Sequence, residues 1–112
     1  MEDYLLQEAQ ARGIVDDRGL YLAANVFANG TQLGRVWVFL NGTKLFLAEF
    51  EFPAGLGKSL QVIELRGARP ELQRFLLPLR LTLNTPQGRF EFTGFRGAKA
   101  WLNAVLEAAK QK

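Results

Sequence analysis

The spacing of apolar residues changes period twice along this chain, and each change marks an element. Residues 2–12 place Tyr4, Leu5, Ala9 and Arg12 on one side of a short helix, which Gly13 ends. Such a helix is marginal alone in water and needs a surface to pack on. Asp16-Asp17-Arg18-Gly19 is turn chemistry. From there to residue 93 the period is 2, the signature of half-buried strands. Leu20 to Asn29 reads as the first strand, ending at Asn29-Gly30.

The clearest hairpin joins Arg35–Leu40 to Lys44–Phe52 through Asn41-Gly42-Thr43, because Asn-Gly tolerates the positive φ of a tight turn. On the second arm Phe46, Phe50 and Phe52 share a face with Ala48 and read as its inside, while Glu49 and Glu51 share the other face. The first arm, Val36-Trp37-Val38-Phe39-Leu40, is apolar on both faces. A three-residue loop sets Trp37 opposite Leu47, and a two-residue loop sets Val36 there; the pattern leaves both registers open. Either way Leu45, Leu47 and one apolar set of the first arm (Trp37 and Phe39, or Val36 and Val38) are expected to point away from the phenylalanine face. Surplus apolar surface of that kind needs cover.

Pro53 to Lys58 reads as a loop and Leu60 to Leu65 as a strand, broken by Arg66-Gly67-Ala68-Arg69-Pro70. Glu71 to Leu77 is ambiguous and is taken as a short strand, since Pro78 keeps a central strand from running through. Leu79–Asn84 and Arg89–Thr93 alternate cleanly around the turn Asn84-Thr85-Pro86-Gln87-Gly88. After Gly97 the period becomes 3.6, with Ala98, Trp101, Leu102, Val105 and Ala109 on one stripe. About seven strands and a closing helix, with no repeat and no linker, make a mainly β single domain. Residues 1–17 form an acidic arm on a body spanning 18–112.

Strands in this number, closed by one helix with a tryptophan, resemble the pleckstrin-homology superfold, and within it the GRAM and bacterial PH-like branch. The residues that carry the resemblance are Gly34-Arg35-Val36-Trp37-Val38, Leu45-Phe46-Leu47, Leu60 to Leu65, Leu81-Thr82-Leu83, Gly88 to Phe92, Phe95 and Trp101. It spans roughly residues 18–110 and leaves the N-terminal helix outside. It implies a curved antiparallel β-sandwich, or partly open barrel, whose C-terminal helix plugs one end with Trp101. It also implies a binding scaffold rather than an enzyme. Phosphoinositide-binding members carry basic residues in the first inter-strand loop. Here that loop, Asn29 to Gly34, has none before Arg35.

Composition narrows the chemistry. The 112 residues contain no cysteine and no histidine, which removes thiolates, disulfides and the commonest general base and metal ligand. The opening Met1-Glu2-Asp3 is unlike a secretory signal, and no apolar run reaches membrane-spanning length, so a cytoplasmic protein is expected. The net charge of +3 conceals an asymmetry: residues 1–17 carry five carboxylates against Arg12, and the remainder carries thirteen Lys/Arg against six Asp/Glu. A basic body suits an anionic partner, or an acidic arm folded onto it.

Candidate chemistry is sparse. Gly57-Lys58-Ser59 resembles the end of a phosphate-binding loop, but Phe52 stands where that motif needs glycine and strand follows where it needs a helix. Glu49 with Glu51, and Asp16 with Asp17, are carboxylate pairs without a nucleophile or histidine beside them. No catalytic, cofactor or metal residue is assigned. Candidate interface residues are Trp37, Phe39, Leu45, Leu47, Tyr4 and Leu5, the hairpin surface and the helix that would cover it. Candidate anion contacts are Arg35, Lys58, Arg66, Arg80 and Arg89. The expected function is non-enzymatic: protein binding or self-association into a homo-oligomer. The alternative is binding of a peripheral membrane lipid head group or, less favoured, nucleic acid.

Overall fold

The computed structural model describes residues 4–51, 55–73, 79–95 and 99–111. They form α1 (Tyr4–Arg12), β1 (Tyr21–Ala28), β2 (Thr31–Asn41), β3 (Lys44–Glu51), β4 (Gly55–Glu64), β5 (Arg69–Gln73), β6 (Arg80–Thr85), β7 (Gly88–Thr93) and α2 (Lys99–Ala109). The strands make one antiparallel sheet in the order β4-β3-β2-β1-β7-β6-β5. β1 is the pivot: it pairs with β2 along its length and with β7 over Asn25–Ala28. The sheet curls until its parts meet. In the β6–β7 turn, the Gln87 amide donates to the Val62 carbonyl and accepts from the Glu64 N–H, both at 2.8 Å, on the outer strand β4.

The period-2 reading of the C-terminal strands holds. Leu81, Leu83, Phe90 and Phe92 are fully buried, and Arg80 and Arg89 point outward. They meet Val26, Val38, Leu40, Ile63 and their neighbours in one core, which α2 closes with Trp101 and Val105. Trp101 lies edge-on to Phe92, with ring centroids 6.3 Å apart, and next to Phe95 at 5.9 Å. The Gly67 N–H donates to the Gln111 carbonyl (2.8 Å), tying the end of the α2 segment to the β4–β5 turn.

The hairpin departs from expectation in two ways. Its turn is Gly42-Thr43, with Asn41 opposite Lys44, so Val38 faces Leu47 and Val36 faces Glu49. Neither expected register occurs. Gly42 takes the positive φ (62°), and its N–H donates to the Asp16 carboxylate at 2.7 Å, so a residue outside the hairpin helps set the turn. The second departure inverts the faces. Leu45 and Leu47, read as surplus surface, are fully buried in the main core with Val36, Val38 and Leu40. Phe46, Ala48 and Phe50, read as the inside, lie on the opposite side of β3. The interior already holds Phe90, Phe92 and Trp101, and the slimmer aliphatic set fills what remains.

β4 begins five residues earlier than expected and takes in most of the presumed glycine loop. Gly57 is present for close approach: a Cβ there would stand 2.7 Å from the Glu49 Cβ, across an irregular stretch of the β3–β4 pairing. β5 likewise starts inside the presumed break. Pro70 is tolerated because β5 pairs only with β6, leaving an open side where no N–H is required. Residues 74–77 of the ambiguous Glu71–Leu77 segment, together with Pro78, Phe52 and Ala98, lie outside the described residues.

Candidate functional site

The β1–β4 part of the sheet carries a second apolar cluster on its outward face. Phe39 and Ala48 are fully buried there with Ala9, Ile14, Val15 and Leu56, and Leu5, Leu6, Tyr21, Trp37 and Phe46 pack around them. Alternation along β2 creates this layer: the residues alternating with core-facing Val36, Val38 and Leu40 are Trp37 and Phe39. The rings form a chain. Trp37 stacks on Phe50 (centroids 4.8 Å, 20°) and meets Tyr21 edge-on at 6.0 Å, and Tyr21 stacks on Phe39 at 5.2 Å. Trp37 Nε1 donates to the Gly55 carbonyl at 2.9 Å, which fixes the indole against β4.

α1 covers this face. Ala9 is fully buried against it, and Leu5 and Leu6 are half-buried. Arg12 clamps the far end, its guanidinium donating to the carbonyls of Gly57 (2.6 Å) and Leu56 (3.3 Å) while pairing with Glu8 at 2.6 Å. Tyr4 remains 75% exposed. The interface candidates therefore divide. Trp37, Phe39 and Leu5 meet in the outer layer, Tyr4 stands at its margin in solvent, and Leu45 and Leu47 belong to the core.

The segment after α1 is pinned to the β2–β3 turn. Asp16 accepts from Arg18 Nη2 and from the Gly42 N–H, both at 2.7 Å, and Arg18 Nη2 also donates to the Gly42 carbonyl at 3.1 Å. The Arg18 hydrogen bond outweighs the cost of partial burial and, with the Gly42 N–H, holds the Asp16 carboxyl down to about 2. Arg18 is raised in return by the same pair. At the other side of the turn burial pushes Glu64 up, but the Arg66 N–H, the Thr43 hydroxyl and the Arg66 guanidinium prevail and hold it below the usual carboxylate range.

The anion candidates do not converge. Arg80 and Arg89 flank Glu91 at 3.2 and 3.5 Å on the outer face of β6 and β7. Arg66 pairs with Glu64 at 3.4 Å in the turn after β4, and Lys58 is exposed on β4 itself. Arg35 shares an outward cross-strand row with Arg80 through Asn25 and Thr93, three strand spacings or about 14 Å away. Its Nη1 lies 3.4 Å from the Gly94 carbonyl. The cleft beside Arg35, about 540 Å³ between β2, β3 and β4, is also lined by Glu49 and Glu51. Two carboxylates against one guanidinium do not favour an anionic head group there. Among the described residues no group of three or more acidic side chains gathers as a metal site, and no helix is long and apolar enough to cross a membrane.

Reading the sequence missed Tyr21, Phe46 and Phe50 as members of the outer layer, and Arg12 as its clamp. The available signal was the double apolar face of β2, which requires cover on both sides. Gln87 carried no signal beyond turn composition.

An antiparallel sheet of this order, curled around one core and closed by a C-terminal helix, is the pleckstrin-homology-like fold. Among solved structures, the crystal structure of the pleckstrin homology domain of ArhGAP27 is similar, with a TM-score of 0.61 and 18% identity over 80% of this chain and 96% of that one. No protein-family model and no curated protein matches the chain. At that identity the likeness establishes the fold. A fold by itself names no ligand.

Proposed function

We propose that this domain is a non-enzymatic interaction module that binds a protein partner or a second copy of itself. The observation that carries the reading is the outer aromatic layer. A pleckstrin-homology-like core is complete without it, yet the chain commits Tyr21, Trp37, Phe39 and Phe46, with Phe50 stacked on Trp37, to a surface covered by one short helix and the Ile14-Val15 segment after it. Large aromatic side chains on a shaped surface are what protein interfaces favour. The pattern of residues 34–47 and 60–65 supports placing the domain nearest the GRAM and bacterial branch. Light scattering after column separation tests the reading, with a defined oligomer, or a complex formed with a partner, as the expected result. Trp37→Ala should change that state. A monomer at all concentrations that retains no partner would remove it.

The anion reading is the weaker alternative. It draws on Arg35, Arg80 and Arg89 facing outward together, and Glu91 lies between two of them. Retention on anionic vesicles or DNA that falls steeply with salt would restore it.

A further inference from the structure

We propose that the aromatic face beneath α1 is a helix-docking groove, entered by a partner helix of α1's own pattern when α1 is displaced. The proposal rests on the protein-binding reading above and specifies its partner. The chemistry of that partner is displayed by the present occupant. The face accepts a nine-residue helix whose central contact is a fully buried alanine, Ala9. Four residues before it, Leu5 packs against the same cluster, with Leu6 beside it. Three residues after it, Arg12 donates to the Gly57 and Leu56 carbonyls. Positions i, i+4 and i+7 fall on one side of a helix. A helix presenting leucine, alanine and arginine at these spacings makes the same contacts, and a large residue in place of the alanine is disfavoured because Ala9 is already fully buried. This is recognition of a helix by a groove, read through regularly spaced anchors.

Three features make α1 a replaceable occupant. A helix of this length has little stability of its own. The buried residues of the outer layer are separate from those of the main core, so uncovering the layer leaves the sandwich closed. The point of release is also defined. Gly13 has φ 75° with open space where a Cβ would stand, while the chain beyond it is held by buried Ile14 and Val15 and by Asp16 at the β2–β3 turn. α1 can therefore swing out at Gly13 with its anchor in place.

The test uses the full chain and, as probe, a fluorescent synthetic peptide of residues 2–13. In the wild-type protein α1 competes in cis, so the apparent affinity is reduced by the fraction of molecules with the groove open. Full-length Leu5→Asp and Arg12→Ala variants, which weaken α1 and leave the groove intact, should bind the probe at least about tenfold more tightly than wild type. A probe carrying Ala9→Phe should bind none of them. Tighter binding after loss of a cis contact is not produced by a helix that is merely structural. Variants that bind no better than wild type, or an Ala9→Phe probe that binds equally well, would overturn the proposal. Hydrogen exchange on the wild-type protein provides a second reading that needs no variant. The α1 amides should exchange through an opening that leaves β2 and β3 protected, and exchange only by global unfolding would also overturn it. If the full chain still forms a complex or oligomer while the probe fails to bind, the groove is lost and the interaction reading stands.

Discussion

Gln87 closes on Val62 across the open side of the sheet, its side-chain amide donating to the Val62 carbonyl at 2.8 Å and accepting from the Glu64 N–H at the same distance. One amide thus takes the carbonyl and the N–H that flank Ile63, as a neighbouring strand would. Two otherwise unpaired backbone groups of an edge strand are satisfied, which also hides them from another chain. Gln87→Ala should cost about 1 kcal/mol, since the groups freed at this exposed site regain water. Urea denaturation reads the cost, and amide exchange at Glu64 should quicken selectively. An unchanged Glu64 exchange rate would mean that the clip is not formed in solution.

Asp16 predicts a pH dependence. Its folded-state pKa is depressed to about 2 from an ordinary 3.8. A carboxylate with a lowered folded pKa contributes its stability in full above the unfolded value and loses it as pH falls through the folded one. Stability should therefore decline between about pH 4 and pH 2, with Asp16 responsible for about 1 kcal/mol once solvent screening of this partly exposed pair is allowed for. Glu64 shifts in the same direction, so wild type alone does not isolate Asp16. The comparison that does is Asp16→Asn, whose urea midpoint should be lower at neutral pH and converge on the wild-type value near pH 2. Parallel pH profiles for the two proteins would show that the Asp16–Arg18–Gly42 lock contributes nothing.

Trp101 separates packing from hydrogen bonding. Its ring is 1% exposed, and Nε1 has no partner among the described residues. Trp101→Ala should cost about 3–5 kcal/mol, as for other buried aromatic truncations. Trp101→Phe should cost markedly less, because it removes an unsatisfied donor along with part of the ring. Thermal unfolding of the two variants decides this. A phenylalanine variant as unstable as the alanine one would point to a hydrogen bond made by Nε1.

The C-terminal part of the fold was legible because each element there has one apolar face. In Leu81-Thr82-Leu83 and Phe90-Glu91-Phe92, alternation alone orients every side chain, and the helix stripe places Trp101 inward. The hairpin was not legible to the same degree, because Val36 to Leu40 is apolar on both faces and Leu45 to Phe50 nearly so. Local pattern cannot say which set enters the core. That choice depends on Phe90, Phe92 and Trp101 arriving from distant sequence to occupy the interior, and on α1 arriving to cover the rest. The turn register depended on Asp16, far from the hairpin in sequence. Of the candidate site, the need for cover on an apolar hairpin was readable and the identity of the covered face was not.

That face assignment makes the last prediction. Leu47→Asp places a carboxylate at a fully buried position of the main core, and should destabilise the domain by more than about 4 kcal/mol, enough to prevent folding. Phe46→Ser, one residue earlier, removes a half-buried ring from the outer layer and should cost about 1–2 kcal/mol while leaving a cooperative transition. The two positions differ by one step along β3 and by which side of the sheet they face, so the contrast is a direct measure of orientation. Far-ultraviolet circular dichroism and urea titration of both variants supply it. If Leu47→Asp folded normally and Phe46→Ser did not, the sheet would present the opposite face to its core.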